Sequence, residues 1–260
     1  MRIIHQIWFD FNNGTFPSEK QITTDFIART NTNYQYLFWD LESALKLTEE
    51  YYPSYHEFLL RSTNRNIIKC DFFRYVLMYH FGGYYFDLDF VLLRNLDHFR
   101  DIHQHDIVLT EECHNSIDLH STLHNGFLYS RNPGESFWKR MCDIIVERDP
   151  KVYCEITEAQ VYHLTGTKYL CAQWQNADIS LSVRIKILPF HFCCNHWYTH
   201  NVSGEKYFYT DDNKEKTIQR KNCSWTFLNL DDIVKYEHEL KINHAMAICA
   251  ILPHGSFWKT

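Results

Sequence analysis

Residues 71–89, DFFRYVLMYHFGGYYFDLD, constrain the fold more than any other segment of this 260-residue chain. Asp71 and Arg74 stand one helical turn apart, so they share a face of a predicted helix. Gly82 and Gly83 are expected to end that helix, because only glycine adopts the left-handed conformation at little cost. A strand is predicted to follow at once. The same alternation of helix and strand continues along the chain and indicates a layered α/β fold.

Two acids lie two positions apart in this predicted strand, Asp87 and Asp89. Because side chains alternate along a strand, both carboxylates are expected on one face, with Phe86, Leu88 and Phe90 facing a core. Unpaired carboxylates in so apolar a run are costly to keep ionised, and a metal is the simplest compensation. Two acids beside an arginine therefore predict a site for a divalent metal and the phosphates that it bridges. Taken alone, a D-x-D triplet is more often a solvated strand face.

Periodicity also predicts the other elements. Strands are expected at 2–8, 34–39, 106–110, 125–130 and 185–192. Helices are expected at 18–29, 53–61 and 135–148, and two further helices are expected, one that begins at residue 41 and one that ends at residue 81. Asp40 is a predicted helix cap, and Asn64 or Asn66 is predicted to cap the helix that contains Asp71.

Further motifs surround the D-x-D segment. It is preceded by IHQIW and NYQYLFWD and followed by HNGFLYSRNPGESFW, LTGTKYL and HGSFW, at residues 4–8, 33–40, 124–138, 164–170 and 254–258. In this order the chain resembles the glycosyltransferases with a sugar-binding region containing a DXD motif. That family includes the yeast Golgi mannosyltransferase that initiates outer chains and, more distantly, the clostridial glucosylating toxins. The chain departs from the T-G-P element of the family by having threonine in place of proline.

The resemblance implies a GT-A fold, with a Rossmann-like nucleotide-binding half and a mixed central sheet. We expect a single domain with a C-terminal elaboration. Residues 1–110 are assigned to the nucleotide-sugar-binding half and 111–195 to the acceptor half. Residues 196–240 form the elaboration, and 241–260 form a closing tail.

The resemblance implies catalysis with a nucleoside-diphosphate sugar as donor, and with Mn²⁺ (or Mg²⁺) on the diphosphate. Asp71 and Arg74 match residues that bind the donor sugar and phosphate. Asp87 is expected to contact the ribose and, through water, the metal, while Asp89 ligates the metal directly. Asn125 matches a position near the sugar and the acceptor, although a turn residue before a strand is an alternative interpretation.

Other positions are expected to bind the nucleotide. Trp8 matches an aromatic residue that stacks on the base, with a core tryptophan as the alternative. Tyr85 is expected near the ribose or phosphate. His254 is a candidate metal ligand, since imidazole nitrogen suits Mn²⁺. Ser256 and Trp258 match donors of hydrogen bonds to the β-phosphate, on a tail that closes over the donor.

These assignments predict a metal-dependent, retaining transfer of a hexose, most simply from a UDP-sugar, to a hydroxyl of a glycan or protein acceptor. No motif carboxylate is an obvious covalent nucleophile, which favours front-face attack. Two alternatives stay open: a non-catalytic nucleotide-sugar-binding protein, and a metal-dependent phosphohydrolase. The phosphohydrolase requires further acids or histidines around a second metal.

Charge and hydropathy limit the partners. The net charge of −6 and the absence of a basic run argue against nucleic-acid binding. No stretch of about eighteen apolar residues exists, so no integral membrane segment is expected. Residues 2–8 resemble a buried strand rather than a signal peptide. We therefore expect a soluble protein of the cytoplasm, or of a viral or bacterial intracellular setting.

The nine cysteines are best interpreted as reduced and mostly buried thiols. A cluster of five potential zinc ligands occurs at His191, Cys193, Cys194, His196 and His200. Neighbouring side chains of a strand point in opposite directions, and the chain has no C-x-x-C pair. Buried thiols and histidines are therefore favoured over a zinc site.

Overall fold

A computed structural model describes most of the chain up to residue 188 and four short strands beyond it. The described residues are 2–11, 16, 18–61, 65–92, 95–99, 102–112, 122–148, 150–153, 156–176, 185–188, 198–199, 206–209, 215–217 and 249–251.

One six-stranded sheet organises the described part of the chain. Its strands are β1 (Ile3–Ile7), β2 (Gln35–Trp39), β3 (Gly83–Phe86), β5 (Ile107–Glu112), β6 (Thr122–Ser130) and β7 (Ile185–Leu188). They lie in the order β2-β1-β3-β6-β5-β7. Strand β6 is antiparallel to both β3 and β5, whereas the β1–β2, β1–β3 and β5–β7 pairs are parallel. The sheet is mixed, which confirms the predicted α/β fold with a mixed central sheet.

Seven helices pack around this sheet in the described residues. They are α1 (Ser18–Thr30), α2 (Leu41–Tyr51), α3 (Pro53–Arg61), α4 (Asn66–His80), α5 (Ser136–Glu147), α6 (Glu158–Leu164) and α7 (Thr167–Gln175). The connections between elements contain three short 3₁₀ turns: Leu96–His98, Ile102–Gln104 and Pro150–Tyr153. The predicted helices at 18–29, 53–61 and 135–148 are confirmed to within a residue or two.

Two cores lie on opposite faces of the sheet. The larger core contains buried side chains of α2, α3, α4, α5 and α7. The smaller core contains Ile27 of α1, Phe90 after the D-x-D triplet and residues of the first two 3₁₀ turns. Helix α4 is buried from Ile68 to Met78, so its polar residues are held inside the protein rather than at its surface.

Local signals explain where α2 and α4 begin and end. Asp40 caps α2, since its carboxylate accepts a hydrogen bond from the Ser43 amide at 2.8 Å. After α4, Gly82 and Gly83 have φ angles of +65° and +85°. A Cβ on Gly83 would lie 2.6 Å from the carbonyl oxygen of Ile3. The predicted glycine stop is confirmed, and the close approach to β1 adds a second reason for glycine there.

The predicted cap of α4 is wrong in one part and untested in the other. Arg65 occupies the N-cap position, and its side chain does not cap the helix. Asn66 is the first helical residue, and its side-chain amide donates to the carbonyl oxygens of Phe9 and Asp10. The amide is therefore used to hold the segment after β1, a contact that local sequence does not reveal. Asn64 lies outside the described residues.

The predicted D-x-D strand also requires correction. Strand β3 ends at Phe86, and residues 87–89 form a turn in which the Phe90 amide donates to the Asp87 carbonyl at 3.1 Å. Strand β4 (Phe90–Leu92) begins only after this turn. The two aspartates therefore do not alternate along one strand. The chain must turn here because β4 pairs with β11 (Cys249–Ile251) in a separate two-stranded sheet.

Little of the predicted elaboration and tail is described. Strands β8 (Tyr198–Thr199), β9 (Lys206–Tyr209) and β10 (Glu215–Thr217) form a small antiparallel sheet. Strand β7 is described to Leu188, so the predicted strand residues 189–192 lie outside the described part. Strand β6 lies between β3 and β5, so elements from both sides of residue 110 interleave. The division into donor and acceptor halves stays a prediction. No helix of the described residues is long and apolar enough to cross a membrane.

Candidate functional site

The candidate site lies where two parallel strands end. Strand β1 is followed by Trp8, and β3 is followed by Asp87. Carboxyl ends of parallel strands meet at one edge of a sheet, where ligands commonly bind in α/β proteins. The side-chain amide of Gln6 donates to the Asp87 carbonyl at 3.2 Å, and the Asp87 amide donates to the Gly126 carbonyl at 2.9 Å. The D-x-D turn is thus attached to β1 and to β6.

A group of charged and polar side chains lies at and beneath this turn, and we call it the carboxylate cluster: Asp71, Arg74, Asp87, Asp89, Asn125 and Thr165. Arg74 Nη2 lies 2.9 Å from Asp71 Oδ1, and Nη1 lies 3.1 Å from Asp87 Oδ1. Arg74 also donates to the Asn125 carbonyl at 2.7 Å. One guanidinium therefore links the predicted helical pair to the D-x-D turn, as the sequence spacing indicated.

Asp71 is enclosed by hydrogen-bond donors from distant parts of the chain. Asn125 Nδ2 donates to its Oδ1 at 3.0 Å, and Thr165 Oγ1 donates to its Oδ2 at 3.0 Å. Burial raises the pKa of Asp71 to about 6, although Arg74 and both donors favour the charged form. For Arg74, burial opposes the charge, but Asp87, Tyr85 and Asp71 hold its pKa well above the ordinary value.

Asp87 faces outward from the same cluster. Its side chain is 29% exposed, whereas those of Arg74 and Asp71 are 3% and 5% exposed. The Tyr85 hydroxyl donates to Asp87 Oδ1 at 2.6 Å, and the Arg74 guanidinium lies 4.8 Å from the centre of the Tyr85 ring. Tyr85 therefore orients the first acid of the D-x-D turn, and its proximity to the ribose or phosphate stays a prediction.

Asp89 has a different environment from Asp87. Its Oδ1 is buried and has no hydrogen-bond partner among the described residues. Burial raises the pKa of Asp89 to about 6, with Asp87 raising it further and Lys20 lowering it. A buried, unsatisfied carboxylate oxygen requires an explanation, and a bound cation is a simple one. The donor set therefore fits a divalent ion held by Asp87 and Asp89.

Lys20 of α1 is a site residue that sequence reasoning missed. It is only 1% exposed, and the Thr23 hydroxyl one turn later lies 3.3 Å from the Leu88 carbonyl in the D-x-D turn. A lysine in an ordinary amphipathic helix gives no sequence signal for such burial. Its charge brings a second protein cation, beside Arg74, to the acids of the site.

Gly126 and His124 border the turn and were also missed. A Cβ on Gly126 would lie 2.5 Å from both Asp87 Oδ2 and His124 Cε1. The Gly126 amide donates to His124 Nδ1 at 2.9 Å, so the neutral ring carries its proton on Nε2. Both residues flank Asn125 in the H-N-G-F motif, which was the available signal.

Other predicted site residues are less informative. Trp8 is buried at the end of β1, with its ring edge-on to Phe11 and Phe16 at centroid distances of 5.1 Å and 5.5 Å. Its role in base stacking stays a prediction. His254, Ser256 and Trp258 lie outside the described residues, as does the cysteine and histidine cluster at 191–200. Within the described ranges, no three histidine, cysteine or acidic side chains converge on one point.

Comparison with known proteins shows that the D-x-D segment is similar to a described family. Residues 17–109 match the family described as "Glycosyltransferase sugar-binding region containing DXD motif". The chain is 32% identical over 99 residues to inositol phosphoceramide mannosyltransferase 1 of Schizosaccharomyces pombe, which covers 37% of this chain and 30% of that protein. The chain thus spans less than a third of the length of this curated relative.

A solved structure is also similar, the PaToxG glycosyltransferase. The match has a TM-score of 0.48 and 13% sequence identity, and it covers 67% of this chain and 69% of that one. The predicted resemblance to the DXD-motif glycosyltransferases is confirmed over residues 17–109.

Proposed function

We propose that this chain, with the DXD-family pattern in residues 17–109, is a metal-dependent glycosyltransferase. Its donor is a nucleoside-diphosphate sugar, most simply a UDP-sugar, and its acceptor is a hydroxyl of a glycan or protein. The comparisons support glycosyl transfer in general. The metal, the nucleotide and the retention of anomeric configuration belong to this proposal.

The observation that carries the proposal is that one turn pairs a partly exposed acid with an acid whose Oδ1 is buried. Asp87 is fixed by Arg74 and Tyr85 and is 29% exposed, while the buried Oδ1 of Asp89 has no partner in the described part of the chain. Asp71, Asp87 and Asp89 carry three negative charges, and Arg74 and Lys20 carry two positive ones. The site therefore has an excess of one negative charge, which a divalent cation more than offsets.

Asp87 and Asp89 would hold the divalent ion, and the ion would supply positive charge for the departing diphosphate. The protein keeps these acids in place. Tyr85 and Arg74 hold the Asp87 side chain, and the Gln6 side-chain amide and the Gly126 carbonyl hold the Asp87 backbone. Because the supporting groups are buried, they need little rearrangement during the reaction.

The sugar end of the donor is assigned to Asp71 and Asn125. Asn125 is 8% exposed, and its side-chain amide and carbonyl oxygen are both committed to the Asp71–Arg74 pair. These contacts favour a role for Asn125 in the site over its interpretation as a turn residue before a strand. With no further carboxylate in the cluster, the acceptor hydroxyl attacks from the face of the departing phosphate, and configuration is retained.

The proposal is tested by nucleoside diphosphate release from a panel of UDP- and GDP-sugars, with Mn²⁺ and with EDTA. We expect slow, Mn²⁺-dependent hydrolysis of one donor. Asp89→Asn should abolish it, because the buried oxygen ligand is lost. Asp25→Asn, on the exposed side of α1, is the matched control and should retain full activity.

The same assay separates the alternatives. A phosphohydrolase would release orthophosphate from free UDP or GDP, and a non-catalytic binding protein would show a Mn²⁺-dependent thermal shift without product. If no donor is cleaved and UDP with Mn²⁺ produces no thermal shift, the D-x-D turn is not a donor site.

A further inference from the structure

The LTGTKYL motif has no role in the function proposed above, yet it reaches the carboxylate cluster. Thr165 and Gly166 form the corner between α6 and α7, and Thr165 is fully buried. Their amides both donate to the Val161 carbonyl, at 3.0 Å and 3.1 Å, which closes the end of α6. The backbone of this corner is therefore fixed.

Two hydrogen bonds join the corner to α4. Thr165 Oγ1 donates to Asp71 Oδ2 at 3.0 Å, and the Tyr75 hydroxyl donates to the Thr165 carbonyl at 2.7 Å. Asp71 and Tyr75 are four positions apart, so they lie on one face of the helix. The corner is held by α4 at two points, and its hydroxyl is aimed at a residue assigned to the donor sugar.

The two oxygens of Asp71 are used unequally. Oδ1 accepts from Asn125 Nδ2 and pairs with Arg74 Nη2, whereas Oδ2 receives only Thr165 Oγ1 from the described residues. A carboxylate offers about four acceptor positions, two on each oxygen. Oδ2 therefore keeps one position that no described donor occupies.

We propose that Thr165 is a positioning residue for the sugar part of the donor: it orients Asp71 so that the remaining acceptor position of Oδ2 receives a sugar hydroxyl. This inference rests on the proposed function. Thr165 acts through Asp71 and does not touch the substrate. The threonine hydroxyl is suited to this role because the buried backbone of the corner holds it in place. Thr165 lies 94 residues from Asp71 in the sequence, so the contact is a tertiary one.

The test is Thr165→Val, which keeps the shape of the side chain and removes the donor. We expect the affinity for the sugar nucleotide that the wild type cleaves to fall about tenfold or more, as for loss of a hydrogen bond to a charged group. The affinity for the matching nucleoside diphosphate, measured with Mn²⁺, should change less than about twofold. Thr165→Ser restores the hydroxyl and should restore sugar recognition.

Thr167→Val is the matched control, because Thr167 is also buried, lies two residues on and does not hydrogen-bond Asp71 in the described structure. It should bind both ligands as the wild type does. In an Asp71→Asn background, Thr165→Val should have little further effect, since its action passes through that carboxylate.

If Thr165→Val and the wild type bind the sugar nucleotide with equal affinity, the inference is wrong, and the proposed function is unaffected. An equal loss for the sugar nucleotide and the nucleoside diphosphate, or an undiminished loss in the Asp71→Asn background, would lead to the same conclusion. Should Thr165→Val not fold, Thr165→Ser and Thr165→Ala form a second pair, expected to differ about tenfold for the sugar nucleotide only. If the wild type binds neither nucleotide, the proposed function fails, and the inference fails with it.

Discussion

Two polar clusters at opposite edges of the sheet are built from similar residues and differ in what they leave unsatisfied. The carboxylate cluster lies where β1 and β3 end. At the other edge is the tyrosine cluster, which we define as Tyr34, Tyr84, Asp97 and His103. The Tyr34 hydroxyl donates to Asp97 at 3.1 Å, and the Tyr84 hydroxyl lies 2.9 Å from His103 Nε2.

The tyrosine cluster places its charge in solvent. Asp97 is 31% exposed and pairs with Arg2, whose side chain is 59% exposed. Hydrogen bonds from Asn33, Tyr34 and Arg2 lower the pKa of Asp97. Its carboxylate is ionised at neutral pH and close to water, as in a structural surface cluster.

The carboxylate cluster does the opposite, because its charges are inside the protein. Burial raises the pKa of both Asp71 and Asp89 to about 6. Arg74 Nε and Asp89 Oδ1 have no hydrogen-bond partner among the described residues. Acids that are costly to ionise, beside unsatisfied buried atoms, indicate a site that a ligand completes. The contrast distinguishes the candidate site from a structural surface cluster without reference to any relative.

Removing the arginine that pairs with the aspartates of each cluster should give the largest difference in stability between the variants. Arg74→Met leaves the buried Asp71 and the partly exposed Asp87 without their shared cation. We expect it to lower the free energy of unfolding by about 3–5 kcal/mol, mainly through Asp71. Arg2→Met removes an exposed pair and should cost about 1 kcal/mol or less. Urea denaturation of both variants measures this, and similar losses would mean that the clusters are not energetically distinct.

The raised pKa values of Asp71 and Asp89 predict a pH dependence of the carboxylate cluster. For Asp71 and Asp89, the folded-state value near 6 lies above the unfolded value, so their contribution to stability is present below about pH 4 and is lost as pH rises through 6. Metal binding needs the ionised form. The Mn²⁺-induced thermal shift, measured with UDP or GDP, should therefore disappear below pH 6, with affinity falling about tenfold per pH unit per proton.

Asp97→Asn is the comparison for this titration, because Asp97 has a lowered pKa and lies in the other cluster. The variant should show the same pH profile of the Mn²⁺ shift as the wild type. An identical thermal shift at pH 5 and pH 7.5 would contradict the placement of the metal at these acids.

Gly126→Ala should damage the site by a smaller amount. Its Cβ would lie 2.5 Å from Asp87 Oδ2, so the carboxylate or the His124 ring must shift. We expect a loss of about 1–3 kcal/mol in stability and a clear drop in Mn²⁺ affinity. Calorimetric titration with Mn²⁺ in the presence of UDP or GDP measures the second effect. Unchanged affinity would show that the D-x-D turn adapts freely.

Tyr34→Phe should have the smallest effect. It removes one hydrogen bond to the half-exposed Asp97, with an expected loss of about 1 kcal/mol in the free energy of unfolding. Donor binding should not change, because the tyrosine cluster is at the far edge of the sheet. A loss of donor affinity in this variant would show that the two edges are coupled.

Local spacing in the sequence was sufficient for several features. Asp71 and Arg74 pair because residues three apart on a helix are neighbours, and Asp40 caps α2 through its own local geometry. The glycine pair after α4 has the predicted positive φ angles. Each of these contacts joins residues close together in the chain, so periodicity and propensity are enough to reveal it.

The tertiary structure alone decided the remaining features. The D-x-D triplet is a turn rather than a strand, since β4 leaves the main sheet to pair with β11. The donors that fix Asp71 come from Asn125 and Thr165, 54 and 94 residues away, and Lys20 arrives from α1. Such contacts depend on which elements pack together, and a one-dimensional pattern does not specify that packing. The sequence indicated which residues are candidates for the chemistry, and the fold decided which other residues hold them in place.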